Sequence, residues 1–264
     1  METEILSTKP VRHMIQLSEL AWRKRQMVIY SGRTGIGKSD ALARVSASNH
    51  FPKIMLRCRA TTRNSEILNQ IALHFGVSRG NSNRYLSNGK LYSILGERLR
   101  DSGDLIAIDE ADRLADSTFE MLRDFFDEYG VGMLLVGNEN LEPKIDAQLE
   151  RLARRIYRFH ETDLKQPELF QVLEAKGYRL GEDEMKLLWD YCGGSPGWAL
   201  AVLRLADEIA ARNGVERCAR DVLGAMKIIP KPRRGAAGPN SFVRRDGPLY
   251  RQRPSLTLTL KEPA

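Results

Sequence analysis

An open α/β fold with a smaller all-helical region behind it is predicted by three observations on this 264-residue chain. Short apolar runs alternate with amphipathic helical segments through the first 160 or so residues. One run, Met27-Val28-Ile29-Tyr30, leads into Gly32-Arg33-Thr34-Gly35-Ile36-Gly37-Lys38-Ser39, of the form G-x-x-x-x-G-K-S. Another, Leu105-Ile106-Ala107-Ile108, ends in Asp109-Glu110. Continuous apolar runs of this length suit strands buried on both faces, as in a parallel sheet.

Residues 11–25 set Met14, Leu17, Leu20 and Ala21 at helical spacing and end in Arg23-Lys24-Arg25, so residues 1–25 read as an N-terminal helix leading into the first strand. The glycine-rich stretch after that strand opens a helix-compatible segment, Asp40 to Val45. Strand, loop and helix in this order are the context in which the motif forms a phosphate cradle. Gly35 and Gly37 let backbone N–H groups turn inward, and the helix N-terminus adds partial positive charge. Thr34, Gly35, Ile36, Gly37, Lys38, Ser39 and Asp40 are therefore the expected binding stretch for a nucleoside triphosphate. Within it Lys38 reaches the β- and γ-phosphates and the Ser39 hydroxyl holds Mg²⁺.

Lys53 to Cys58 is the second strand. A helix with Ile67, Leu68, Ile71, Ala72 and Phe75 follows, with Asn64 or Ser65 as its N-cap. Val77 to Lys90 is polar and reads as an exposed loop, and Leu91 to Arg100 as another amphipathic helix. Asp104 to Asp112 is the strand that ends in acids. Ligands of open α/β sheets collect at the carboxyl ends of strands, so Asp109 is expected to hold Mg²⁺ through water and Glu110 to polarise the attacking water. Ser117-Thr118-Phe119-Glu120 has the form of a capping box, and Gly130 suits a helix stop. Between them Phe119, Leu122, Phe125, Phe126 and Tyr129 form an aromatic stripe expected to pack in the core. Val131 to Val136 is a further strand, and Asn138 after it is the expected sensor of the γ-phosphate.

Four arginines, 151, 154, 155 and 158, crowd residues 148–159, and one of them is expected to reach a neighbouring subunit's nucleotide. Ile156 to Phe159 suits a short strand. Residues 26–162 thus form the nucleotide-binding core, with a hinge at Thr162 to Pro167. Residues 163–228 are a small helical unit interrupted at Gly193 to Gly197, with Trp189 and Trp198 in its core. Residues 229–264, rich in proline and arginine, are expected to be disordered in isolation. Within them Ser255 to Leu260 alternates strictly, as a strand added to a partner's sheet edge would.

The net charge of +7 is misleading as an average. From Lys227 onward nine basic residues face only Asp246 and Glu262, which accounts for the whole excess and leaves residues 1–226 neutral. Nucleic-acid binding by the body must then come from a local patch rather than from bulk charge. Cys58, Cys192 and Cys218 lack metal or redox spacing and read as free thiols in a reducing cytoplasm. No apolar run is long enough for a bilayer and the N-terminus is no signal peptide, so no membrane association is expected.

Taken in order, the phosphate loop, the Asp-Glu strand, the Asn-tipped strand, the arginine cluster and the helical unit resemble the AAA+ ATPases. Ile108-Asp109-Glu110-Ala111-Asp112-Arg113-Leu114, Leu135-Val136-Gly137-Asn138-Glu139-Asn140-Leu141 and Leu149-Glu150-Arg151 look like the target-DNA-selecting ATPases of transposons and transposing phages, such as MuB, TnsC, TniB and IstB. The resemblance spans roughly residues 10–226. It implies a P-loop AAA+ core of five parallel strands sandwiched by helices, with a small C-terminal helical lid and a disordered tail. It also implies ATP and Mg²⁺ as ligands, slow turnover, and an active site shared between subunits, with Arg151 as the arginine from the neighbour and Arg154 and Lys144 after it. The chain would assemble as a filament or ring on double-stranded DNA, recruit a transposase and be dismantled by hydrolysis. DNA would be gripped by its backbone from Arg63 after the second strand, and from Arg79, Asn81 and Arg84 after the next helix. One departure stands out: Trp198 follows the Gly-rich break, where many lids place a nucleotide-sensing arginine, and the nearest arginine is Arg204. Two other readings are an AAA+ loader or secretion-associated ATPase with a protein client, and a nucleotide-bound scaffold that scarcely hydrolyses. Arg63, Arg79 and Arg84 favour DNA over a protein client, and Glu110 argues against a silent scaffold.

Overall fold

The computed structural model describes residues 8–48, 50–59, 61–78, 80, 86–148 and 156–229. Its elements are α1 (Lys9–Lys24), β1 (Met27–Gly32), α2 (Lys38–Ala47), β2 (Lys53–Arg57), α3 (Asn64–His74), α4 (Asn88–Ser102) and β3 (Leu105–Asp109). A 3₁₀ turn (Ala111–Arg113), α5 (Asp116–Tyr129), β4 (Met133–Val136), α6 (Leu141–Gln148) and β5 (Tyr157–Glu161) follow. The chain then continues as α7 (Gln166–Ala175), α8 (Glu182–Cys192), α9 (Pro196–Arg212) and α10 (Ala219–Ile228). No helix among the described residues is long and apolar enough to cross a membrane.

The five strands form one sheet in the order β2-β3-β4-β1-β5. The pairs β1–β4, β2–β3 and β3–β4 are parallel, so this is the parallel α/β sheet that the apolar runs predict. All residues of β1 and β4 are buried, as are Leu105 to Ile108 of β3. Successive side chains alternate between faces, so each face needs its own cover. Met27, Ile29, Ile54, Leu56, Ile106, Ile108, Met133 and Leu135 share a cluster with the apolar sides of α3, α4 and α5. Val28, Tyr30 and Leu134 lie outside that cluster and are equally buried.

Contacts divide the described residues into two compact units. One comprises His13–Gly32 and Lys38–His160, the sheet and the helices on it. In it the stripe on α5 is core: Phe119, Leu122, Phe125 and Phe126 are buried, and Tyr92 and Tyr129 pack beside Phe125. The other unit comprises the chain up to Arg12, Arg33–Gly37 and the chain from Glu161 on. Its core joins Leu169, Leu173, Leu188, Cys192, Ala199, Val202, Leu203, Ala206, Val222 and Ala225 of α7 to α10, with Trp189 and Trp198 packed against it. Arg217 ties this unit together through Glu184 at 3.0 Å and Asp207 at 2.7 Å.

Local signals fared unevenly. Ser87 caps α4 as its side chain accepts the Lys90 N–H, and Gly103 and Gly130 end α4 and α5 in the left-handed conformation. The two N-caps expected from the sequence do not form. Arg63 occupies the N-cap position of α3 without a side-chain cap, and Ala115 that of α5. Asn64 instead bonds across to the start of α5: its Nδ2 donates to the Ser117 carbonyl at 3.2 Å, and its Oδ1 accepts from the Thr118 hydroxyl. A tertiary hydrogen bond thus takes the group that the local pattern assigns to capping.

Gly132, just before β4, lies against α1: a Cβ built there would be 2.4 Å from the Ala21 carbonyl oxygen. A backbone atom cannot rotate away, so the strand must shift. Gly132→Ala is expected to cost about 1–3 kcal/mol, read as a lower urea midpoint at unchanged slope. An unchanged midpoint would show that β4 has slack at this point.

Candidate functional site

The loop from Gly32 to Lys38 starts from β1 and ends on the first residue of α2, a ten-residue helix. Gly35 and Gly37 have φ of 89° and 97°, which L side chains rarely adopt, so glycine is required at both. Lys38 Nζ donates to the Gly32 carbonyl at 2.7 Å, so the ammonium lies at the end of β1. Ser39 and Asp40 are exposed on the first turn of α2, and Asp40 pairs with Arg44 at 3.2 Å. Thr34 is exposed and Ile36 buried. A Cβ built on Gly37 meets no atom within 4 Å. Space is therefore open beside Gly37, and a glycine-rich backbone ahead of a helix N-terminus suits a phosphate group.

Strand order brings the acids to this place. β4 lies between β1 and β3, so the tip of β4 is flanked by the strand that feeds Lys38 and by the strand that ends at Asp109. Asp109 is half-buried, and its Oδ1 accepts the Glu110 N–H at 3.0 Å. Glu110 has φ 55° and ψ 37°, a left-handed conformation that costs a non-glycine residue roughly 1 kcal/mol or more. Its carboxylate lies between two arginines, Arg57 at 2.8 Å and Arg113 at 2.8 Å. The Arg57 guanidinium is held further towards its charged form by its hydrogen bond to Glu110, then by the charges of Glu110 and Asp109. Asn138, at the tip of β4, bonds to Asp112 through its backbone N–H at 3.1 Å and its Nδ2 at 2.8 Å.

Lys38, Asp109, Glu110 and Asn138 thus belong to one unit and to neighbouring strand ends. Ser39 and Asp109 supply the hydroxyl and carboxylate oxygens that suit a magnesium ion shared with a nucleotide's phosphates. Arg63 is exposed, just past β2. Arg79, Asn81, Arg84, Arg151 and Arg154 lie outside the described residues, as does the tail from residue 230. Two other candidates for the reaching cation are engaged within their own chain. Lys144 Nζ donates to the backbone carbonyls of Asp112, at 3.0 Å, and of Leu114. Arg158 on β5 pairs with Asp146 at 2.5 Å.

Three participants escaped the sequence: Arg57, Arg113 and Asp112. Arg57 stands opposite Asp109 in the β2–β3 register, a pairing no local pattern announces. Arg113 is three residues from Glu110, a spacing that signals an ion pair only once the intervening turn is known. In the other unit, the start of α9 meets the phosphate loop. Gly197 N–H donates to the Gly35 carbonyl at 2.8 Å, and a Cβ on Gly197 would be 2.9 Å from the Gly35 Cα. At Gly197 only glycine allows this approach, which gives the Gly-rich break a role of its own in place of a nearby arginine.

The AAA domain family matches residues 22–145. Over 219 residues, 80% of this chain and 74% of the relative, the chain is 25% identical to Mu-like prophage FluMu DNA transposition protein B of Haemophilus influenzae. Among solved structures, the Aeropyrum pernix ORC2 protein in its ADPNP-ADP complexes shares the fold, with a TM-score of 0.64 at 17% identity, covering 86% of this chain and 68% of that one. The Aeropyrum pernix ORC1 protein in complex with DNA gives a TM-score of 0.57 at 24% identity, over 83% of this chain and 64% of that one. The phosphate loop and the acid-tipped strand both lie within the segment that matches the AAA domain family. Together the family match and the similarity to transposition protein B support an AAA+ ATPase of the MuB type.

Cys58 follows β2 and lies behind the acids, where burial first, and then the charges of Asp109, Glu110 and Asp112, push its thiol up to about 12. Burial alone pushes Cys192 up to about 12. Both groups keep their protons in the native chain at pH values where unfolded thiols have lost theirs. The native state then binds more protons, and stability falls as pH rises from about 9 towards 12. Urea midpoints taken at about pH 8 and about pH 10 should drop less in Cys58→Ala than in the parent. Equal drops would show that Cys58 ionises in the folded chain.

Proposed function

We propose that this AAA+ ATPase is an ATP-dependent, DNA-binding regulator of transposition. It assembles on double-stranded DNA as a filament or ring, recruits a transposase, and is released when ATP is hydrolysed. The observation that carries the reading is the run of exposed arginines at and after the end of β2, Arg57, Arg59 and Arg63, beside the strand that ends in Asp109 and Glu110. Cations at the rim of the hydrolytic site tie phosphate-backbone contact to ATP chemistry, and the likeness to transposition protein B supplies the context. Such contacts give affinity without reading sequence. Arg79, Asn81 and Arg84 extend the same contact, and the basic tail engages the transposase or adds to DNA affinity. The setting is the cytoplasm of a bacterial host.

In hydrolysis, N–H groups of Thr34 to Ser39 and the Lys38 ammonium bind the phosphates. Ser39 and Asp109 would hold Mg²⁺, which supplies positive charge to the phosphate oxygens as the bond breaks. Glu110 orients the attacking water and accepts its proton as the γ-phosphoryl group leaves, while Asn138 donates a hydrogen bond to that group. Arg151 of an adjacent subunit, with Arg154 beside it, closes the pocket, so turnover depends on assembly.

Glu110→Gln is expected to bind ATP normally, to lose turnover by at least about a hundredfold, and to remain on DNA. Arg63→Glu should abolish ATP-dependent coating of duplex DNA by electron microscopy while leaving nucleotide affinity intact. Coating by the parent chain should weaken steeply with salt. No coating of duplex DNA at saturating ATP by the parent chain would sink the DNA reading and leave an ATPase with a protein client.

A further inference from the structure

Asp112, in the 3₁₀ turn after β3, is bonded to the tip of the neighbouring strand. Its Oδ1 accepts the Asn138 backbone N–H at 3.1 Å, and its Oδ2 accepts the Asn138 Nδ2 at 2.8 Å. The Asn138 Oδ1 in turn accepts the Asn140 N–H at 2.8 Å. A carboxylate only accepts and a backbone N–H only donates, so these partners determine which end of the amide is which. Oxygen faces Asn140 and nitrogen faces Asp112. Nδ2 carries two hydrogens and Asp112 takes one, which leaves the second as a donor of set direction. Without Asp112 the Asn140 N–H alone would hold the amide, and the direction of its nitrogen donor would no longer be fixed from that side.

The turn that carries Asp112 is itself clamped. Lys144, on α6, donates to the backbone carbonyls of Asp112 and Leu114, and its Nζ lies 5.6 Å from the centre of the Phe119 ring. Gly137 makes room for the contact, because a Cβ there would be 2.8 Å from Asp112 Oδ1 and 2.8 Å from Leu141 Cδ2. The turn that begins beside Glu110 and the tip of β4 therefore form one hydrogen-bonded piece.

We propose that Asp112 is a positioning residue for ATP hydrolysis. It holds the Asn138 amide nitrogen against its own carboxylate, so that the second N–H of that nitrogen is the phosphate donor, and it couples that residue to the turn that carries Glu110. The proposal rests on the reading of Asn138 as the group that bonds the γ-phosphate. Both Asp112 carboxylate oxygens are taken up by Asn138, so its removal acts on kcat through Asn138 and spares ATP affinity.

The test is a double-mutant cycle on the full chain with saturating DNA, combining Asp112→Asn and Asn138→Ala. It follows kcat, affinity for a non-hydrolysable ATP analogue, and melting temperature. In Asp112→Asn a side-chain NH₂ opposes either the backbone N–H or the Nδ2 of Asn138, and the anchor is lost. A fall in kcat of about tenfold is expected, with analogue affinity within about threefold of the parent. In the Asn138→Ala background the same change should have no further effect on kcat. Parental kcat in Asp112→Asn, or an equal loss in both backgrounds, overturns the positioning role. If Asp112→Asn melts early, Asp112→Ser, which keeps one acceptor, is judged by the same cycle and the same two outcomes. Asn138→Ala with parental turnover would instead remove the γ-phosphate role of Asn138, and the proposal with it. Slow Asn138→Ala beside normal Asp112→Asn removes the role of Asp112 alone.

Discussion

Burial of β1, β3 and β4 on both faces is the constraint from which the site follows. Strands that are apolar on both faces gain little from any one register by hydrophobic pattern alone, since a slip exchanges one apolar residue for another. The polar ends break that degeneracy. Asp109 closes the apolar run of β3 half-buried at its end, and a slip would draw its carboxylate between buried strands at a cost of several kcal/mol. Asn138, one residue beyond Gly137, limits β4 in the same way. Each strand therefore stops where its charge or amide begins, and the stops of neighbouring strands align.

Alignment crowds acids at one edge, and the surrounding groups distribute them. Asp109 is turned back onto the Glu110 N–H, Glu110 lies between Arg57 and Arg113, and Asp112 is drawn to Asn138. The ion pairs do little for stability. Arg57 is 70% exposed, and pairs in that setting contribute about 0–1 kcal/mol. Their effect is orientation: three carboxylates within four residues take three directions. The left-handed backbone at Glu110 is part of this, because it swings the chain out of the β3 direction in a single residue.

The helical unit reaches the phosphate loop in a different way. Gly197 at the start of α9 bonds the Gly35 carbonyl without a side chain. A backbone contact of this kind depends on loop shape, whereas an arginine would depend on phosphate charge.

Strand positions, the phosphate loop and the pairing of Asp109 with Glu110 were legible in the sequence, because each is written locally. Glycine at 35 and 37 answers to a backbone angle, and an apolar run answers to burial. The caps show where this ends. Asn64 has the right residue type at the right offset, yet its amide is used across the α3–α5 boundary, where it bonds the Ser117 carbonyl and the Thr118 hydroxyl. Asp112 was legible as a letter in a motif and not as a partner of Asn138, 26 residues away. The sequence by itself determined the chemistry available, a triphosphate loop and a pair of carboxylates, because those depend on residue type and near neighbours. Which polar group meets which was decided only by the tertiary structure, because the strand order β2-β3-β4-β1-β5 sets the neighbours at the sheet edge and no local pattern encodes that order.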